Sequence, residues 1–261
     1  MGTYAITGVV SGIGAKLARV LQGQGHRVIG LDLAEPENHV DRYIPIDLSD
    51  PDSIQAAVGA LDEDLDGLCN NAGLPPRDGL EAKILQVNFF GPRRFTHAVL
   101  DRLKPGGSIV NTASRAGQFW QDNLDQIKRL SAVEDPASLA KFLEDDSVDP
   151  TRAYNLSKEA VIAWTLAETE PLIAKGLRMN TVSPAAVATG ILDDFVRAFG
   201  ERVAKNIERA GRAGRADEVA DVAAFLLSPA SGWLKGTDIW IDGGMAAFNG
   251  SDAMGLDVLR G

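Results

Sequence analysis

The stretch Tyr4-Ala5-Ile6-Thr7-Gly8-Val9-Val10-Ser11-Gly12-Ile13-Gly14 is a short apolar run, a glycine-rich turn and the opening of a helical pattern. Tyr4 to Thr7 predicts a strand, and Ile13, Leu17, Val20 and Leu21 share one face of an amphipathic helix. Glycines at 8, 12 and 14 allow positive φ and let a phosphate approach the backbone, with a helix N-terminus facing the anion. The spacing departs from the G-x-G-x-x-G fingerprint, so the turn alone is weak evidence, and a tight strand-to-helix connection competes with a nucleotide site.

The unit repeats along the chain. Strands are predicted at Arg27 to Asp32, Tyr43 to Leu48, Asp66 to Asn70, Ser108 to Thr112 (after the turn Pro105-Gly106-Gly107), Arg178 to Ser183 and Asp238 to Ile241. Helices are predicted at Pro51 to Leu61, Glu81 to Leu103, Tyr154 to Lys175 and Ala216 to Leu227. Strands separated by helical crossovers imply an α/β, doubly wound Rossmann fold with a parallel sheet of about seven strands covered on both faces. From residue 119 to 152 the rhythm breaks. That segment is acidic, carries Leu124, Ile127 and Leu130 on one face, and offers a second helix at Pro136 to Leu143. It is expected to be a helical insertion before the Tyr154 helix, within one domain spanning residues 1–261.

With 45% apolar and 24% charged residues the chain belongs with globular proteins. Its net charge of −10 argues against nucleic acid and anionic membranes as partners, since both need clustered Lys and Arg. Cys69 is the only cysteine, which rules out an intrachain disulfide and any Cys-based metal cluster, and suits a reducing cytoplasm. No metal is expected. Neither a basic leader with a long apolar run nor a span of eighteen apolar residues occurs, so a cytoplasmic protein is expected.

Asp32 ends the second strand, close to the offset of about 20 residues at which a carboxylate receives the ribose hydroxyls of NAD. It would repel the 2′-phosphate of NADP, and neither Ser11 nor Leu33 offers a compensating cation; a solvated strand-end Asp is the competing reading. Asp47-Leu48 ends the third strand and either borders the adenine or caps the next helix. Tyr154 and Lys158 lie four apart on a helix, so they share a face. Lowering a tyrosine pKa from about 10 by ~2 units needs ~2.7 kcal/mol. One cation at ~4 Å in an effective dielectric of ~20 supplies about 4 kcal/mol before desolvation. Alone, such a pair is most often a surface accident. Ser114 follows the Ser108 to Thr112 strand at the sheet edge where doubly wound folds bind ligands, and Asn70-Asn71-Ala72-Gly73 ends the neighbouring strand at the same edge. Asn88, a poor residue for a helix interior, is expected to bend its helix or hold a water.

Together these residues resemble the short-chain dehydrogenase/reductase family over nearly the whole chain: Thr7-Gly8 with Gly12 and Gly14, Asn70 to Gly73, Asn88, Ser114, Tyr154 with Lys158, and Ser183-Pro184 occur in the family's order. The resemblance implies an NAD-dependent oxidoreductase. Ser114 would position the substrate oxygen, Tyr154 exchange its proton, Lys158 bind the ribose and lower the tyrosine pKa, and Asn88 support a water relay. The cofactor would lie along Gly8, Ser11, Gly12, Ile13, Gly14, Asp32, Leu33, Asp47, Leu48, Asn71, Ala72, Gly73, Pro184, Val187 and Thr189 besides Tyr154 and Lys158. Ala185 stands where the family usually has Gly, which leaves the loop path beneath the nicotinamide open. The separation of 40 positions from Ser114 to Tyr154 resembles the family's subgroup that handles coniferyl alcohol and 3α-hydroxysteroids.

Leu74 to Arg77, Phe119-Trp120 and Ile191 to Phe199 are expected to wall the substrate site. Their aromatic character suggests a ring-bearing alcohol or ketone, an aromatic alcohol before a steroid, although Phe119 and Trp120 pack the insertion equally well. The segment from Leu192 to Gly200, with Gly211 and Gly214 beyond, suggests a mobile lid. A homodimer through the Ala216–Leu227 helix and the Asp238–Ile241 strand is expected, with a tetramer as the alternative. A protein that binds NAD without redox chemistry is the competing class, disfavoured because a pure binder has no use for the tyrosine.

Overall fold

The computed structural model describes residues 1–260. In chain order, β1 (Thr3–Thr7), α1 (Gly12–Gly23), β2 (Arg27–Asp32), β3 (Arg42–Pro45), α2 (Pro51–Ala60) and β4 (Leu65–Asn70) build the first half. There follow α3 (Glu81–Leu85), a π turn (Gln86–Phe90), α4 (Gly91–Val99), β5 (Leu103–Thr112) and the inserted α5 (Leu124–Ser131) and α6 (Pro136–Asp145). The second half is α7 (Pro150–Ala167), α8 (Thr169–Ala174), β6 (Arg178–Pro184), α9 (Leu192–Phe199), α10 (Glu201–Ala210), α11 (Ala216–Leu227), β7 (Asp238–Ile241) and α12 (Met245–Met254).

All seven strands run parallel in the order β3-β2-β1-β4-β5-β6-β7. Alternation along each strand sends successive side chains to opposite faces. Tyr4, Ile6, Val28, Cys69, Val110 and Val182 pack under α1 and α11, while Ala5, Ile29, Leu68, Ile109 and Met179 pack under the helices of the other face. Winding reverses between β1 and β4, whose carboxyl ends therefore open a crevice, the place where open α/β sheets bind their ligands.

Four elements differ from expectation by more than two residues. The helix expected over Glu81 to Leu103 is broken, because Pro92 has no N–H to give the carbonyl of Asn88 four residues back, and the helix opens into the π turn. Its last residue, Leu103, already pairs with Leu65 in β5, which therefore starts before the Pro105 to Gly107 excursion rather than after it. The strand expected at Tyr43 to Leu48 stops at Pro45. The helix expected at Tyr154 to Lys175 begins at Pro150, where Asp149 caps it by accepting from Arg152 N at 2.6 Å, and is interrupted at Glu168.

Of the two inserted helices, α5 lies against α7, and α6 packs on α3 and α5. Ile127, Leu130, Leu139 and Phe142 supply the apolar contact. A polar clasp fixes its register: Glu159, with a side chain 2% exposed, takes a bidentate pair from Arg152 at 2.9 and 2.6 Å and a further bond from Asn123 at 2.9 Å. Arg152 Nε also reaches Gln126 at 2.9 Å. Among the described residues no helix is long and apolar enough to cross a membrane.

Candidate active site

A cleft of about 870 Å³ opens over the carboxyl ends of the strands. One half is backbone. Gly8 (φ 73°) turns the chain out of β1 against the end of β4, where a Cβ would lie 2.8 Å from Ala72 Cα. Thr7 Oγ1 accepts from Asn71 N and Ala72 N at 3.0 and 3.1 Å, and Asn71 Nδ2 donates to Gly8 O at 3.1 Å, so the two strand ends are locked together. Ser11 at the N-cap of α1 makes no side-chain cap bond, and no acidic residue occupies the first turn. The first N–H groups of α1 are thus left for an anion in the cleft.

Asp32 closes this half. Its carboxylate accepts from Val10 N at 3.0 Å and Leu33 N at 2.7 Å and still lines the cleft. Arg27, the nearest cation on β2, is turned to Glu63 at 2.7 Å. Asp47 lines the cleft but does not cap α2: its Oδ1 holds Ser49 N at 2.8 Å and Oγ at 2.6 Å in the turn before the helix, and the cap is Asp50, which accepts from Asp52 N at 3.0 Å. Gly12, Ile13, Leu48, Gly73, Pro184, Val187 and Thr189 also line the cleft. Gly14 does not. It is buried in α1, where a Cβ would meet Gly8 O at 2.0 Å, so its glycine is required by packing rather than by ligand access.

The other half carries side chains with chemistry. Ser114, leaving β5, accepts from Ala116 N at 3.2 Å and donates to Pro184 O at 3.4 Å. Tyr154 and Lys158 come from one face of α7, with Lys158 Nζ 5.7 Å from the tyrosine ring centre and bonded to Thr112 O at 2.8 Å. Burial pushes the tyrosine hydroxyl up to about 12, with a hydrogen-bonding interaction with Ser114 acting the other way. Burial pushes Lys158 down to about 8. The expectation that one cation lowers the tyrosine unaided therefore fails in the protein alone, because burying both groups favours their neutral forms.

Asn88 sits in the π turn, where the expected bend is found, but its carboxamide is fully engaged. Oδ1 accepts from Leu74 N at 2.7 Å, and Nδ2 donates to Leu74 O at 3.0 Å and Ser157 Oγ at 3.2 Å. The side chain thus joins the loop after β4 to α7 and is not among the residues lining the cleft.

Phe119 lines the cleft and is 52% exposed, whereas Trp120 packs against the core and does not reach the cleft. Trp120 is accordingly withdrawn as a substrate contact: Gln118 and Phe119 line the cleft, and the next side chain packs on the core instead. Phe195 and Phe199 of α9 stack on each other and meet Tyr154 edge-on at 5.2 and 6.3 Å. Neither α9 nor α10 buries a residue, and Arg77 ties α9 to the opposite lip through Asp194 at 2.7 Å. Sequence reading missed a third wall, formed by Arg115, Trp240, Met245 and Asn249. Arg115 lies over the Trp240 ring at 3.8 Å, beside Asp242 at 3.4 Å. The adjacency of Arg115 to Ser114 was the one available signal; the rest arrives from the far end of the chain.

The chain belongs to the short-chain dehydrogenase family. The profile described as short chain dehydrogenase matches residues 3–124, and that described as enoyl-(acyl carrier protein) reductase matches residues 138–246. Among individual proteins, it is 40% identical to the coniferyl-alcohol dehydrogenase of Pseudomonas sp. (strain HR199 / DSM 7063), over 93% of this chain and 95% of that one. It is 29% identical to the 3-alpha-hydroxysteroid dehydrogenase/carbonyl reductase of Comamonas testosteroni, over 95% and 97% of the two chains. The crystal structure of the 3-alpha-hydroxysteroid dehydrogenase from Pseudomonas sp. B-0831 complexed with NADH superposes with a TM-score of 0.78 at 29% identity, covering 94% of this chain and 97% of that one. The expected family and fold stand, and the protein is an oxidoreductase of this family.

Proposed function

We propose that the protein is an NAD-dependent dehydrogenase that interconverts an alcohol and its carbonyl compound, with an aromatic primary alcohol as the best substrate. One observation carries this reading: Ser114, Tyr154 and Lys158 converge in a cleft whose other half is an uncapped helix N-terminus beside the carboxylate of Asp32. The first turn of α1 would hold the pyrophosphate and Asp32 the adenosine ribose. When bound, NAD would supply the hydride acceptor for the carbinol C–H and a positive charge beside the tyrosine. Ser114 holds the substrate oxygen, Tyr154 accepts its proton, and Lys158 stabilises the tyrosinate and binds the nicotinamide ribose. Asn88 acts as a positioning residue through Leu74 and Ser157.

The aromatic preference is supported by Phe119, Phe195 and Phe199 around Tyr154 and by the relative named for coniferyl alcohol. A panel containing coniferyl alcohol, simple aliphatic alcohols and a 3α-hydroxysteroid, followed by NADH absorbance, tests it. Highest turnover on the aliphatic or steroid members would contradict the aromatic assignment.

Cofactor choice rests on Asp32. Replacing Asp32 by Asn leaves its volume but removes the charge that accepts two ribose hydroxyls, a charge-assisted contribution of about 1.5–3 kcal/mol. The Michaelis constant for NAD should rise by about tenfold or more, while that for NADP should fall. Unchanged constants in initial-rate measurements would move the ribose site elsewhere.

A dimer across α11 and the edge strand β7 is part of the same proposal, supported by the exposed Phe225 of α11. Light scattering at micromolar concentration should give twice the chain mass; a monomer would contradict it. Cytoplasmic location is supported by there being a single cysteine, Cys69, and so no intrachain disulfide; recovery outside the cytoplasmic fraction would contradict it.

A further inference from the structure

The cleft wall contributed by α9 and α10 changes character along the chain. Next to the tyrosine it is aromatic, with Phe195 and Phe199 stacked on each other. Gly200 (φ 60°) then ends α9 and starts α10 in a new direction. Arg202 and Asn206, four residues apart on α10, line the cleft with Asn249 of α12.

Arg202 stands apart from the cations around it. Between residues 190 and 218, Arg197 pairs with Asp194, Lys205 with Glu201, Arg209 with Asp252, Arg212 with Glu218 and Arg215 with Asp217. Arg202 alone in this stretch has no carboxylate partner among the described residues, and it alone of these six lines the cleft. The surface that presents it is fastened from outside, since Arg209 joins α10 to Asp252 of α12 at 2.7 Å and lies over Phe248 at 5.0 Å. A guanidinium with two carboxamides offers several donors and two acceptors, a set suited to an oxygen-bearing group and wasted on a bare hydrocarbon end.

We propose that Arg202, Asn206 and Asn249 form the distal end of the substrate site and select aromatic alcohols carrying an oxygen substituent, hydroxyl or carboxylate, on the ring remote from the carbinol. The inference rests on the reading of the cleft as an alcohol site. It explains why the aromatic wall is followed by a polar one, and it makes Arg202 a specificity-determining residue with no part in the chemical step.

The test reads binding apart from turnover. Cinnamyl alcohol, its para-hydroxy derivative and its para-carboxy derivative are titrated calorimetrically into NAD-saturated protein carrying Tyr154→Phe, which holds substrate without transferring its proton. At least one substituted alcohol should bind about tenfold or more tightly than cinnamyl alcohol, as expected for one charge-assisted hydrogen bond. Adding Arg202→Met should bring all three to within about twofold. A preference for the carboxylate that weakens with salt identifies charge pairing, and a preference for the hydroxyl identifies the amides and guanidinium acting as hydrogen-bond partners. Equal affinities at the outset, or a preference that survives Arg202→Met, would overturn the proposal. So would a weakened affinity for NAD in the Arg202→Met protein, which would assign the arginine to the cofactor. Wild-type turnover is scored separately: a binding preference without oxidation would refute the dehydrogenase reading and leave the distal site intact.

Discussion

Tyr154→Phe should lower kcat/KM for alcohol oxidation by about 10³-fold, within the range of 10² to 10⁴ typical of general acid–base groups. NAD affinity should stay within about twofold. The change removes one oxygen from a buried side chain whose ring packs against Phe195 and Phe199, so the fold has little to lose. A pH profile makes the assignment sharper. Because burial raises the hydroxyl to about 12, the protonated form dominates at neutral pH and the base needed for oxidation becomes more abundant as pH rises. Wild-type oxidation should therefore climb through the alkaline range, whereas carbonyl reduction, which uses the protonated tyrosine, should not. In the Tyr154→Phe protein the alkaline climb should vanish. Retention of full turnover, or of the pH dependence, would assign the proton to another group.

Lys158→Met should separate activity from stability in opposite directions. Lys158 is 4% exposed, has one hydrogen bond, to Thr112 O, and is pushed down to about 8 by burial alone. A lysine whose folded pKa lies below its unfolded value of about 10.4 destabilises the fold while it is charged in both states, below about pH 8; the penalty fades as pH rises through that interval. The shift corresponds to about 3 kcal/mol, reduced by about 1 kcal/mol for the lost bond. The Met variant should thus unfold at higher urea concentration near pH 7, by about 1–3 kcal/mol without cofactor, and the gain should be gone above about pH 10. Its activity should fall by about 10²-fold or more, roughly the scale of losing one preorganised electrostatic contact in a dry site. A less stable variant at neutral pH would show that Thr112 and its surroundings compensate the charge fully.

The fold was legible because its signals are local. β2, buried, and β7, at the half-exposed edge, were both read to the residue, since apolar runs bounded by turns suffice to locate such strands. The same locality explains the misses. Pro92 was visible in the sequence, but its consequence falls on Asn88, one helical turn earlier, and emerges as a π turn only when the helix is built. Gly14 looked like part of a phosphate cradle, yet the atom that excludes a side chain there is the carbonyl of Gly8, a contact set by how α1 folds back on β1. Trp120 and Phe119 are neighbours in sequence and opposites in space. The wall of Arg115, Trp240, Met245 and Asn249 joins Arg115 to a stretch that begins 125 residues further on, and no spacing rule connects the two. Tyr154 and Lys158 were found from their helical spacing, but their electrostatics were misjudged because burial, which dominates both groups, is a property of the packed protein.

The most direct test of hydride transfer in this cleft is isotopic. An aromatic alcohol carrying deuterium on its carbinol carbon is incubated with the purified protein and NAD, and the recovered nucleotide is analysed by NMR and mass spectrometry. The expected result is one deuterium on C4 of the nicotinamide ring in the wild-type product, and almost none from the Tyr154→Phe protein over the same interval. Bound NAD that stays unlabelled with every alcohol, or label that reaches C4 equally fast without Tyr154, would contradict the dehydrogenase assignment and leave a nucleotide-binding protein whose cleft does other work.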